Sequence, residues 1–138
     1  MIRDIMHDEA FLSVPSTDCT PEDRYLYDDL MDTLEAHKDG CVGMAANMIG
    51  VQKNAIIFQE EDGSYTVMFN PQIIGRSETF FDTKEGCLSL KGTRKTRRYH
   101  SIEVLYMNRN FRQKMRTLEG FTAQIVQHEI DHTKGILI

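Results

Sequence analysis

The sequence predicts an α+β fold in which small antiparallel sheets pack around a C-terminal metal-binding helix, with an amphipathic helix near the N-terminus. Three observations predict it. Apolar residues recur at a helical period over 21–39, short β-rich runs lie between turn residues from Val51 to Glu119, and a second helical pattern carries His128-Glu129-Ile130-Asp131-His132. Strands gathered between two helical stretches, rather than alternating with them, are the pattern of an α+β fold.

The first helix has explicit start signals. Thr20 with Asp23 three residues on reads as a capping box, Pro21 suits the first helical position, and Glu22 places negative charge where the helix dipole favours it. Tyr27, Leu30, Met31 and Leu34 then fall on one face, Asp28, Asp29, Asp32 and Glu35 on the other, and Gly40 stops the run. Ala55 to Phe58, Tyr65 to Phe69 and Ser101 to Tyr106 read as strands. Asp62-Gly63 is a hairpin signal between the first two, Asn70-Pro71 is expected to end the second, and Asn108-Arg109-Asn110 to turn the third back into Arg112 to Met115. The expected result is a meander or two small sheets. In the last helix Phe121, Ile125, His128 and His132 share a face, and Gly135 supplies the stop.

Composition bounds the function. A chain of 138 residues is expected to form one domain, 1–138, whose core needs neither disulfides nor a structural metal, so a bound metal is free for chemistry. Three cysteines, Cys19, Cys41 and Cys87, are an odd number at irregular spacing, which argues against a disulfide framework. Sixteen Lys and Arg against 21 Asp and Glu give a net charge of -5, which disfavours wholesale nucleic-acid binding and DNA as a partner. No apolar run approaches the roughly 18 to 20 residues of a membrane span, and Met1 to Ile5 hold no apolar signal core, so no membrane partner and a cytoplasmic location are expected.

The chemistry centres on the H-E-x-x-H sequence. Residues four apart stack on one helix face, so His128 and His132 can reach one metal ion while Glu129 addresses a water beside it. The plain alternative is two helix histidines satisfied by neighbours beside a solvated Glu. A catalytic centre normally needs a third protein ligand. The metzincin position for it is Ile138, and no acidic residue follows His132, so the ligand must come from upstream. His7, His37, His100, the cysteines and the carboxylates are candidates, and Cys87 in Glu85-Gly86-Cys87-Leu88-Ser89 stands out because a glycine there allows close backbone approach.

These residues resemble the peptide deformylases, a family with three motifs in the order G-x-G-x-A-A-x-Q, E-G-C-x-S and Q-H-E-x-D-H. Glu85 to Ser89 match the second and Gln127 to His132 the third in full, whereas Cys41 to Met48 match the first in part; the likeness covers essentially the whole chain. The resemblance implies one divalent metal held by Cys87, His128 and His132, ferrous iron in the cell with Zn2+, Ni2+ or Co2+ as substitutes. It implies a water at the fourth position, Glu129 as general acid and base, and the Leu88 N–H as oxyanion donor. The implied activity is hydrolysis of the formyl group from N-formyl-methionyl peptides, part of N-terminal methionine processing in protein biosynthesis, with the ribosome as a candidate partner. Gly43, Gly86, Val42, Phe121, Gln124 and Ile125 would line the substrate site.

Two departures bear on rate and selectivity. The motif Gln is Met48, a thioether that cannot donate a hydrogen bond, and the motif's first Gly is Cys41. Asn47, Gln52 and Gln124 are candidate replacement amides, and Gln124 gives an otherwise apolar methionine pocket one polar wall. Cys41 is either a small-residue replacement or a second thiol near the metal. The expected function is therefore deformylation with reduced or altered activity; the alternative is a weak or inactive relative acting as a metal-containing N-formyl-peptide-binding or regulatory module. A local basic run, Lys91 to His100, reads either as a contact for RNA or a nascent peptide or as a strand edge protected by charge.

Overall fold

Apolar alternation and turn chemistry assemble two sheets in the computed structural model, which describes residues Met1–Ile138. The larger sheet is antiparallel with spatial order β1 (Gly43–Ala45), β2 (Ala55–Gln59), β3 (Tyr65–Arg76), β6 (Ser101–Met107), β7 (Gln113–Glu119). The second is a hairpin of β4 (Phe80–Cys87) and β5 (Leu90–Tyr99). A short helix α1 (Glu9–Leu12) precedes helix α2 (Tyr25–Ala36), and helix α3 (Gly120–Thr133) follows β7. No helix is long and apolar enough to cross a membrane.

The capping signals at Thr20 act as expected, since the Asp23 carboxylate accepts from the Thr20 N–H at 2.8 Å. They start a 3-10 turn, Pro21–Arg24, rather than an α-helix, and the α-helix ends at Ala36, short of 39. Its buried stripe is Leu26, Leu30, Thr33 and Leu34, with Tyr27 and Met31 at the edge. Asp29, assigned to the polar side by its charge, is buried because Arg3 grips it through Nε at 3.0 Å and Nη2 at 2.8 Å. A paired carboxylate can occupy a position that an unpaired one cannot.

Asn70-Pro71 does not end β3. The strand continues to Arg76 through a bulge between Phe69 and Gln72, with Asn70 at φ 51. The Asn70 side chain accepts from the Cys19 N–H at 2.7 Å and donates to its carbonyl at 3.1 Å, so the bulge pins the incoming N-terminal segment. A bulge also accommodates Pro71, which has no N–H for the ladder.

Ala55 to Phe58 of β2 are wholly buried, and both α2 and α3 pack on this strand within one core of 23 buried residues. Helix α3 is further clamped to the hairpin. Gln127 accepts from the Tyr99 N–H at 2.8 Å and donates to the Tyr99 carbonyl at 2.9 Å, while Asp131 accepts from Arg98 Nη1 at 2.6 Å. At the far end Gly135 has φ 79, and a Cβ there would strike the Ser13 carbonyl. That close approach is why the helix stop is a glycine.

Gln127→Ala is expected to lower the unfolding free energy by about 2 kcal/mol, because it strands two backbone groups of Tyr99 at once. A denaturant midpoint unchanged from the parent protein would contradict the clamp.

Candidate active site

The β4–β5 turn and the buried face of α3 meet around three donor atoms. The Cys87 sulfur and one ring nitrogen each from His128 and His132 lie within 4.8 Å of one another. Cys87 ends β4 at an irregularity in the ladder, where the register shifts between Glu85 and Cys87. The Ser89 N–H donates to its sulfur at 3.2 Å, and His7 Nδ1 donates to the Ser89 carbonyl at 3.1 Å behind it.

Helical spacing brings the two imidazoles together with Nε2 atoms 3.0 Å apart and ring centroids 4.7 Å apart. Two imidazole lone pairs at that distance attract only through a shared proton or cation. Burial opposes charge on both rings. At His128 the Cys87 sulfur and the Glu85 carboxylate outweigh burial and push the pKa up to about 10. At His132 burial and the neighbouring His128 charge push it down to about 3. One sulfur and two nitrogens facing a common point are a soft, borderline donor set suited to a divalent transition metal, and the geometry fits that group.

His128 is aimed from behind. Its Nδ1 donates to Glu85 Oε1 at 2.8 Å, which turns Nε2 toward the shared point. Glu85 also accepts from Arg98 Nη2 at 2.7 Å and from Gln124 Nε2 at 2.9 Å. Burial resists ionisation of Glu85, but His128, Arg98 and Gln124 together hold its pKa down at about 2. Asp131 completes the set by fixing the other side of Arg98.

Glu129 is 4% exposed, and burial raises its pKa to about 7, into the range where a carboxyl can both take and give a proton near neutrality. Its Oε1 is buried with no partner. Space for the carboxylate comes from Gly43, where a Cβ would sit 2.9 Å from Glu129 Oε2 and 2.8 Å from Ile125 Cγ2. A cavity of about 550 Å³ opens onto Glu129, with Val42, Gly43, Met48, Gly86, Cys87, Leu88, Phe121, Gln124, Ile125 and His128 in its walls. Phe121, at 64% exposed, stands at its rim. The Leu88 N–H makes no hydrogen bond within the chain.

Several expected alternatives are placed elsewhere. His37 bonds to the Thr33 carbonyl at 2.8 Å, and His100 packs on Phe81 with centroids 5.0 Å apart. Cys41 lines the cavity but is not among the converging donors; its sulfur donates to the Gly43 carbonyl at 3.0 Å, and burial pushes its pKa up to about 11. Asn47 donates to the His132 carbonyl at 2.8 Å and Gln52 to the Phe11 carbonyl at 3.2 Å, so neither offers its amide to the cavity. Gln124 reaches the cavity and donates one of its two amide N–H groups to Glu85 at 2.9 Å. Met48 is buried with its sulfur accepting from the Ala45 N–H at 3.4 Å. Arg94 bonds to the Lys91 carbonyl and sits 3.7 Å from Glu9, outside the cavity. His7, a candidate third ligand, instead bonds to the Ser89 carbonyl behind Cys87, and the supporting residues Glu85, Arg98 and Gln127 have no assigned site role in the sequence reading. A signal exists for Glu85 and Gln127, which open the E-G-C-x-S and Q-H-E-x-D-H matches, and none for Arg98.

The chain matches the family model for polypeptide deformylase over residues 4–138. It is 50% identical over 139 residues to a peptide deformylase of Clostridium beijerinckii, covering 100% of both chains. A second relative, a peptide deformylase of Desulforudis audaxviator, is 38% identical over 86% of this chain and 76% of its own. Among solved structures, a class I type b peptide deformylase from Acinetobacter baumannii with Met-Ala-Ser bound superposes with a TM-score of 0.86 at 26% identity, covering 99% of this chain and 96% of that one. A peptide deformylase from Thermotoga maritima superposes at 0.88 and 27% identity, covering 99% and 95%. With the match running from residue 4 to residue 138 and half of all positions shared with a full-length relative, the chain belongs to the polypeptide deformylase family.

Proposed function

We propose that this protein hydrolyses the formyl group from N-formyl-methionyl peptides, with Cys87, His128 and His132 holding one divalent metal and Glu129 moving the proton. The observation that carries the reading is the meeting of three soft donors within 4.8 Å beside a buried carboxyl of raised pKa. When bound, the metal supplies Lewis acidity toward the formyl oxygen and makes water more acidic. Ferrous iron is the cellular ion in this reading; the same donors accept Zn2+, Ni2+ or Co2+.

The remaining steps belong to the chain's own groups. Glu129 accepts a proton from the attacking water as its oxygen bonds to the formyl carbon. The negative charge that develops on the formyl oxygen receives the free N–H of Leu88. Glu129 then delivers its proton to the amine nitrogen as the carbon–nitrogen bond breaks, leaving formate and a free N-terminal amine. Val42, Phe121 and Ile125 offer apolar walls to the methionine side chain, and Gly43 and Gly86 keep the backbone open beside it. The Met-Ala-Ser peptide held by the Acinetobacter baumannii neighbour supports a methionine-led product. Nascent chains at the ribosome are the proposed source of substrate.

Met48 is the reason to expect a slowed reaction. Its sulfur accepts one N–H and offers none to the cavity, whereas the family's motif places an amide there. Loss of one such donor costs about a hundred- to a thousandfold in rate.

Anaerobically purified protein is expected to contain one equivalent of iron by elemental analysis and to release formate from formyl-Met peptides; tight peptide binding without formate would favour the binding-module reading instead. Glu129→Ala is expected to cut formate release by about a thousandfold with metal content retained, and wild-type-like turnover in this variant would remove Glu129 from the mechanism. Met48→Gln is expected to raise kcat at least about tenfold. A variant no faster than the parent, with unchanged metal content, would show that position 48 does not limit the rate.

A further inference from the structure

The outer face of the β4–β5 hairpin carries chemistry that the catalytic site does not use. From Lys84 to His100 there are six Lys and Arg against one carboxylate, the buried Glu85, which makes this stretch +5 in a chain whose total is -5. The ladder pairs Phe80 with Tyr99, Asp82 with Arg97 and Lys84 with Lys95, so these six side chains share one face. Glu85, paired with Arg94, belongs to the opposite face, turned toward α3.

Like charges directly across a ladder destabilise it, yet Lys84 and Lys95 stand opposite each other with no carboxylate in ion-pair range of either. Asp82, the one acidic side chain on this face, is held by Arg97 Nε at 3.2 Å. Of the two aromatic rings, Tyr99 is half-buried with its side packed on the core and Phe80 stands in solvent. Phe80 is 46% exposed, the Arg97 guanidinium lies 3.9 Å from its centroid, and Arg76 lies 4.4 Å over Tyr99. A shallow depression of about 750 Å³ follows the same strands and is lined only by polar and charged residues, among them Lys84, Lys95 and Arg97.

We infer that this face binds single-stranded RNA, with the lysines on phosphates and the ring–guanidinium stacks against bases. Unpaired cations repeated along a strand neutralise a phosphate backbone, and flat aromatic and guanidinium planes are platforms on which bases stack without sequence preference. An acidic protein would satisfy the charges but leaves the stacked planes unexplained. The acidic remainder of the chain confines the contact to this hairpin. Lys84 also lies at the mouth of the catalytic cavity, so RNA on this face would hold the cavity beside it. That RNA being ribosomal rests on the deformylase reading; binding to RNA does not.

The test uses the full-length, metal-loaded protein and a fluorescent single-stranded RNA oligomer of mixed sequence, with a polyglutamate peptide as the acidic control. If the two lysines of this face, Lys84 and Lys95, engage phosphates, affinity is expected to fall about sevenfold between about 50 and 200 mM salt. The Lys95→Gln/Arg97→Gln double variant, which removes one phosphate contact and one stacking plane, is expected to bind at least about tenfold more weakly and to lower the salt slope by about 0.7, with formate release from a short formyl-Met peptide unchanged. Lys95→Arg is expected to keep the affinity. No RNA binding at low salt, binding unaffected by the double variant, or polyglutamate held as tightly as RNA would each overturn the inference. Absence of formate release with RNA binding intact would count against the deformylase reading alone.

Discussion

One buried carboxylate holds the structure's working parts in register. Glu85 lies on the β4–β5 hairpin and accepts hydrogen bonds from His128 and Gln124 on α3 and from Arg98 on the neighbouring strand. A carboxylate taken out of water is costly unless its lone pairs are filled, and here three donors fill them. Since those donors come from both the hairpin and the helix, satisfying Glu85 fixes how the two approach. Cys87 is two residues away on the same strand, so the position of the sulfur relative to the imidazoles follows from the same contact.

The other contacts between hairpin and helix repeat this logic with backbone groups. Gln127 exchanges two hydrogen bonds with Tyr99, and Asp131 takes the side of Arg98 that Glu85 leaves free. Asn47 secures the end of the helix by donating to the His132 carbonyl. The Q-H-E-x-D-H stretch is thus a set of alternating duties on one helix. Gln127 and Asp131 hold the hairpin, His128 and His132 face the shared donor point, and Glu129 turns into the gap that Gly43 leaves open. Few positions in this helix are free to vary, which accounts for how specific so short a match is.

The hairpin separates two sets of charges by strand alternation. Glu85 and Arg98 look inward and are consumed by each other and by α3, whereas Lys84, Lys95 and Arg97 look outward. In the linear sequence these residues form one basic run, and only the period of two along a strand distinguishes the structural arginine from the solvent-facing cations. Arg98 was invisible as a site residue for that reason. Strand β3 shows the same limit: Asn70-Pro71 carries the chemistry of a strand end, and nothing local reports that the Cys19 backbone is there to occupy the Asn70 amide and sustain a bulge.

Local interactions were legible in the amino-acid sequence. The Thr20–Asp23 cap, the apolar stripe of α2, the strands flanking Asp62-Gly63 and the stacked His128 and His132 depend on residues a few positions apart, where spacing dictates geometry. The Cys87 thiol was one candidate among several until likeness to a family singled it out. What only the tertiary structure decided is everything that crosses between elements: the arrival of Cys87 at the two imidazoles, the burial of Glu129, the pairing of Arg98 with Glu85, and the hydrogen bond from the Gln124 amide to Glu85. Those contacts join residues more than ten positions apart. Their free energy depends on desolvation and on which donors reach which lone pairs, quantities that exist only once the chain has closed on itself.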